Sequence, residues 1–186
     1  MPDYVRVGVT VTFLRMTAPP ADPAPALPAG VEVVHASKCS VAFYRYLYNT
    51  VGAEYVWWLR RTLPDVRIER LLRDNRIGIF VAYQHGEPAG FYELDSTPWP
   101  AVNLSYFGLM PHAVGTGMGY AFLRHAVDAV WRSGARAMTV NTCTADNPRA
   151  LPTYRRAGFQ PLRAIPELWE VPKRLGLVIP EHLIQR

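Results

Sequence analysis

The sequence predicts an α/β (α+β) domain, and three stretches carry that prediction. Residues 4–16 alternate, with Val5, Val7, Val9, Val11 and Phe13 set against Arg6, Gly8, Thr10 and Thr12. A period of two is the pattern of a strand with one buried face. Residues 102–110 are an apolar run bounded by Pro100 and Pro111, which reads as a buried strand. Residues 118–133 place apolar side chains at 118, 122, 126, 129 and 130, which is helical spacing. A chain of 186 residues, 49% of them apolar, suits a single domain over residues 1–186. It can bury about 70% of its unfolded surface.

The elements follow in order. The N-terminal strand occupies residues 1–18. Residues 19–30 hold five prolines and end in Gly30, a stiff irregular connector rather than a second core. The core is expected over residues 31–160. It opens with a short strand at 31–34, then a helix capped by Ser37 or Ser40 and reaching Thr50. Residues 41–58 are rich in rings: Phe43, Tyr44, Tyr46, Tyr48, Tyr55, Trp57 and Trp58. They lie on several faces of one helix, so not all can be core. Residues 64–74 read as a helix with Val66, Ile68, Leu71 and Leu72 inward. Strands at 77–83 and 89–94 are joined at His85-Gly86, a hairpin.

The buried strand at 102–110 leads into Leu109-Met-Pro-His-Ala-Val-Gly-Thr-Gly-Met-Gly119 and then the helix. Gly108, near the strand's end, marks a bulge or a close backbone approach. Arg124, Asp128 and Arg132 lie four apart, where they are expected to pair and face water. Ser133-Gly134 stops the helix. Residues 137–143 are the next strand. A helix is expected from Asp146-Asn147 to Ala157, irregular or kinked at Pro152. Gly158-Phe159 starts a final strand. From Pro161 to the polar end Gln185-Arg186, prolines at 166, 172 and 180 suggest an extension with little regular structure.

Three glycines at alternate positions free the backbone to turn and leave its N–H groups uncovered. The following helix adds unpaired donors and about half a positive charge. Strand, glycine turn and helix in that order bind a phosphate or pyrophosphate. A dinucleotide fingerprint wants G-x-G-x-x-G and a later acid; here the spacing is G-x-G-x-G, and residues 137–140 end without one. A nucleoside-triphosphate loop wants Gly-Lys-Ser/Thr, which is absent. The net charge of +5 suits a polyanionic ligand. The arginines are spread rather than clustered, which argues against nucleic acid. Cys39 and Cys143 form no metal or redox spacing, and no metal site is expected. No apolar run approaches ~20 residues and the N-terminus has no signal pattern, so a cytoplasmic protein without membrane contact is expected.

Two signatures resemble the GNAT superfamily of N-acetyltransferases. The acyl-CoA loop, Gln/Arg-x-x-Gly-x-Gly/Ala in that family, corresponds to Val114-Gly115-Thr116-Gly117-Met118-Gly119, with Val114 in place of Gln/Arg. The second signature corresponds to Asn147, Ala150, Tyr154, Gly158 and Phe159. The resemblance implies a mixed, mostly antiparallel central sheet flanked by helices and splayed at its fourth and fifth strands. It implies acetyl-CoA as cofactor, held by Leu109, Met110, Val114, Gly115, Thr116, Gly117, Met118, Gly119, Asn147 and Ala150. It implies Tyr154 as general acid for the leaving thiolate, and an acceptor site bordered by the aromatic segment, with Tyr48 and Trp57 binding substrate. Such enzymes often use a Glu, or a water chain, near the central strand. That strand has no acid here, only Asn103, so Glu93 on the adjacent strand is the candidate base, with Asp95 and Tyr106 as rivals. The plain reading of Glu93 is an exposed strand carboxylate. The expected acceptor is a primary amine, small-molecule or peptide, and the protein could act as a homodimer. The alternative is a non-catalytic acyl-CoA-binding sensor or interaction module.

Overall fold

A computed structural model describes residues 3–185; Met1, Pro2 and Arg186, which enter the readings of the two chain ends, lie outside them. The elements are β1 (Tyr4–Met16), β2 (Val31–His35), α1 (Val41–Val51), α2 (Leu59–Thr62), α3 (Asp65–Arg73), β3 (Ile77–Gln84), β4 (Glu87–Asp95), β5 (Ala101–Leu109), α4 (Met118–Arg132), β6 (Ala137–Cys143), α5 (Ala150–Arg156) and β7 (Gln160–Pro172). The strands make one sheet in the order β2-β3-β4-β5-β6-β1-β7. Each neighbouring pair is antiparallel except β5–β6.

The apolar stripe of α4, with Met118, Phe122, Ala126 and Val130, is buried on one face of the sheet against Leu104, Val140, Tyr154 and Phe159. A second cluster joins α1 to the sheet through Tyr44, Leu47, Tyr48, Ile79, Val81 and Phe91. Ser40 caps α1, its hydroxyl accepting from the Phe43 N–H at 3.2 Å. The valines of β1 fill a third cluster with Val171 and Leu183 from the C-terminal region.

Three expectations are corrected. The first concerns residues beyond Pro161: in place of an extension with little regular structure, the strand runs on for 13 residues, Gln160–Pro172. It lies at the sheet edge and pairs only with β1. Thr10, opposite Pro166, points its N–H and C=O the other way, to Thr144 on the far side of β1. Pro166 therefore has its missing N–H on the open edge, where proline costs no ladder bond.

The second concerns Arg124. It does not face water but is 1% exposed. Its guanidinium donates to the Asp22 carboxylate at 2.9 Å and to the Asp22 carbonyl at 2.6 Å. The proline-rich connector thus reaches over α4 and supplies the partner that a buried cation requires.

The third is the helix expected from Asp146, which begins at Ala150. Pro152 then falls in the first turn, where no intrahelical donor is lost.

The parallel β5–β6 ladder runs from Ala101 opposite Ala137 to Leu104 opposite Val140 and stops. At the same point the β4–β5 register slips: Glu93 faces Tyr106 while Leu94 faces Leu104. Ser105 is the extra residue of a bulge, and a bulge bends its strand. The sheet therefore splits between β5 and β6, the fourth and fifth strands counted from β2. Gly108 is a close approach rather than the bulge: a Cβ there would overlap the Val51 side chain.

Candidate active site

A cleft of about 700 Å³ opens in the split. One side is the turn before α4. Leu109, Val114, Gly115, Gly117 and Gly119 line it, joined by Asn147 and Ala150. Gly115 and Gly117 have φ of 85° and 90°, the left-handed region that glycine enters freely. A Cβ added at either would meet no atom within 4 Å. No side chain caps α4. Its first N–H groups are left for a ligand, which fits a pyrophosphate.

Three residues assigned to the cofactor lie outside the cleft lining. Met110 and Met118 are each 1% exposed, so their side chains belong to the core. The Thr116 hydroxyl is turned back onto the Ala113 carbonyl at 2.8 Å. Anything Met110 and Met118 offer a cofactor must come from the backbone. Asn147 braces the loop before α5: its amide donates to the Tyr55 hydroxyl and its carbonyl oxygen accepts from the Arg149 N–H.

Tyr154 lines the cleft from α5 and is 6% exposed. Phe107 and Phe159 meet its ring edge-on. Among the described residues nothing bonds its hydroxyl, which leaves that hydroxyl to the cleft. Burial first, and then the negative charge of Asp146, hold the phenol above its ordinary range, so it keeps its proton.

Glu93 sits elsewhere. It is 0% exposed and no part of the cleft lining. Its carboxylate accepts from the Tyr44 hydroxyl at 2.6 Å and from Arg60 at 2.7 Å. Burial pushes the carboxyl above the usual range, against the pull of Arg60 and the Tyr44 hydroxyl. The reading of an exposed strand carboxylate is thereby overturned, because α1 and α2 close over that face of β4. Glu93→Ala leaves the partly buried Arg60 charge unpaired and the Tyr44 hydroxyl without its acceptor, and should cost about 3 kcal/mol in urea unfolding. An unchanged midpoint would mean that the pair does not support the fold.

Tyr48 and Trp57 stand together with Tyr106, with ring centroids at 5.3, 4.9 and 5.0 Å, and all three line the cleft. Tyr48 is nearly buried; its hydroxyl bonds that of Tyr106 and accepts from the Arg60 N–H. Trp169 and Asp146 are among the lining residues that sequence reasoning missed. Trp169 comes from β7, in the extension expected to have little regular structure. Asp146 was read only as a helix start.

A split sheet, a glycine turn and an uncapped helix together define an α/β protein able to receive an extended, phosphate-bearing ligand. The chain belongs to the acetyltransferase (GNAT) family, whose model matches residues 44–159. Solved structures share the fold. A GCN5-related N-acetyltransferase from Sphaerobacter thermophilus is 20% identical with a TM-score of 0.58, over 91% of this chain and 53% of that one. A tandem GNAT protein from the clavulanic acid biosynthesis pathway is 19% identical with a TM-score of 0.62, over 91% and 54%. An aminoglycoside acetyltransferase from an uncultured soil metagenomic sample is 14% identical with a TM-score of 0.58, over 72% and 90%. The chain spans 53% to 63% of the length of the first solved structures it resembles. No curated protein matches it. Family membership supports acyl transfer as its chemistry. Among the described residues no helix is long and apolar enough to cross a membrane.

Proposed function

We propose that the chain is an N-acetyltransferase that moves an acetyl group from acetyl-CoA to a primary amine by direct attack in a ternary complex, in the cytoplasm. The observation that carries this reading is the cleft itself. The backbone of Gly115, Gly117 and Gly119 borders the same space as a protonated Tyr154 hydroxyl that no described residue bonds.

When bound, acetyl-CoA supplies the acyl group as a thioester. The glycine turn and the α4 N-terminus hold its phosphates. The aromatic side of the cleft keeps the amine beside the carbonyl, which removes the entropy cost of bringing the two together. The C–N bond forms, the C–S bond breaks, and the Tyr154 proton goes to sulfur. The ammonium gives one proton to water before it attacks, and the amide nitrogen sheds a second to water afterwards; Tyr154 recovers its own from solvent.

Acetyl-CoA at ~100 times its dissociation constant should stabilise the fold by about 2.7 kcal/mol. Thermal unfolding with acetyl-CoA, CoA and NAD checks this. A protein that responds to neither CoA species does not have this function.

One observation favours a second reading, an acyl-CoA-binding module without catalysis: the β4 carboxylate is locked onto Arg60. Release of free CoA in the presence of an amine panel separates the two readings.

A further inference from the structure

We infer that Asp146, with the ring of Trp57 beside it, is the acceptor-binding site, and that the acceptor is a singly charged amine on a flat, apolar body. The inference rests on the acyl-transfer reading and names its substrate class. Asp146 is the one carboxylate among the described residues that line the cleft. Its Oδ2 is committed, accepting from the Thr142 hydroxyl at 2.8 Å and the Cys143 N–H at 2.9 Å. Among the described residues its Oδ1 receives only the Trp57 indole N–H, at 3.4 Å. A carboxylate offers about four acceptor sites, so one on Oδ1 stays open. None of the ion pairs among the described residues involves Asp146. A half-buried carboxylate with hydrogen bonds but no cation is matched by a ligand ammonium.

The surroundings define the rest of the ligand. Tyr48, Tyr55, Trp57, Trp58, Tyr106 and Trp169 wall the cleft. The Arg60 guanidinium lies 5.4 Å from the Tyr106 ring, and its charge is cancelled by Glu93. No described residue places a cation over Trp57, and an indole is the strongest ring for one. A polycationic amino sugar would find one carboxylate for its several charges, and Arg149 on the same lining to repel it. An arylalkyl monoamine leaves no charge unmatched.

The test uses the full chain loaded with CoA, which cannot react. Phenethylamine, 2-phenylethanol and phenylacetate share a ring and differ in charge. Calorimetry should give phenethylamine at least ~10-fold tighter binding than either of the others. Equal binding of phenylacetate overturns the inference without any variant. Asp146→Asn keeps an acceptor for the Cys143 N–H and removes the charge. It should raise the KM for phenethylamine at least ~10-fold and erase the preference over 2-phenylethanol, with acetyl-CoA affinity unchanged. An unchanged KM, or loss of acetyl-CoA affinity together with thermal stability, marks Asp146 as a turn-closing residue and overturns the inference. Absence of any CoA-induced thermal shift in the parent is a separate result, and counts against acyl transfer itself.

Discussion

Tyr154→Phe is expected to lower the turnover number by roughly 10²-fold or more, the usual scale for a lost acid–base group. The substitution keeps the ring, and with it the edge-on contacts to Phe107 and Phe159. Only the hydroxyl goes, and no described residue loses a hydrogen bond. Acetyl-CoA affinity and thermal stability should therefore stay near those of the parent. With ordinary values, a phenol near ~10 and a thiol near ~8.5, the proton moves about 2 kcal/mol uphill. Burial of Tyr154 steepens that step. Burial of a thiolate in the same cleft raises its basicity and works the other way. Single-turnover rates give the clean reading, since they exclude product release. A folded variant that acylates amine at the parental single-turnover rate would show that Tyr154 is only packing.

Gly117→Val should abolish the thermal response to acetyl-CoA. At φ of 90° a β-branched side chain is strained, and a left-handed residue costs about 1–2 kcal/mol when it is not glycine. No atom stands within 4 Å of the new Cβ, so the added bulk projects over the donors that precede α4 rather than into the core. The variant should fold with a lowered melting temperature and lose cofactor binding far out of proportion to that drop. If it binds acetyl-CoA as the parent does, the phosphates lie elsewhere.

The sequence showed most clearly what is written locally. The alternation of β1, the stripe of α4 and the glycine turn need only neighbours three or four residues away, and each appears where the pattern placed it. Tyr154, Tyr48 and Trp57 do line the cleft. What stayed hidden depends on partners far along the chain. Glu93 looks like any polar residue on a half-exposed strand until Arg60 and Tyr44 arrive from two helices. Arg124 reads as solvent-facing until Asp22 folds over from the connector. Prolines at 161, 166 and 172 spell a loop, because nothing local says that β7 is an edge whose outward N–H groups are dispensable. Asp146 offered no signal, since Trp57, the ring beside it, lies 89 residues away in the sequence.

The position of β1 governs when this protein can be complete. It lies between β6 and β7, so its two ladders join Met16 to Met138 and Tyr4 to Pro172. A ribosome makes β1 before either partner. One edge must wait for residues 137–143 and the other, with a row of valines, for residues 160–172. Long-range pairings of this kind raise contact order and slow folding. They also leave an unpaired strand open to other chains. Trp169, on the cleft wall, arrives with β7, the last of the sheet's seven strands in chain order. Closing the sheet and finishing the cleft are thus one event, and a nascent chain released short of β7 would lack both.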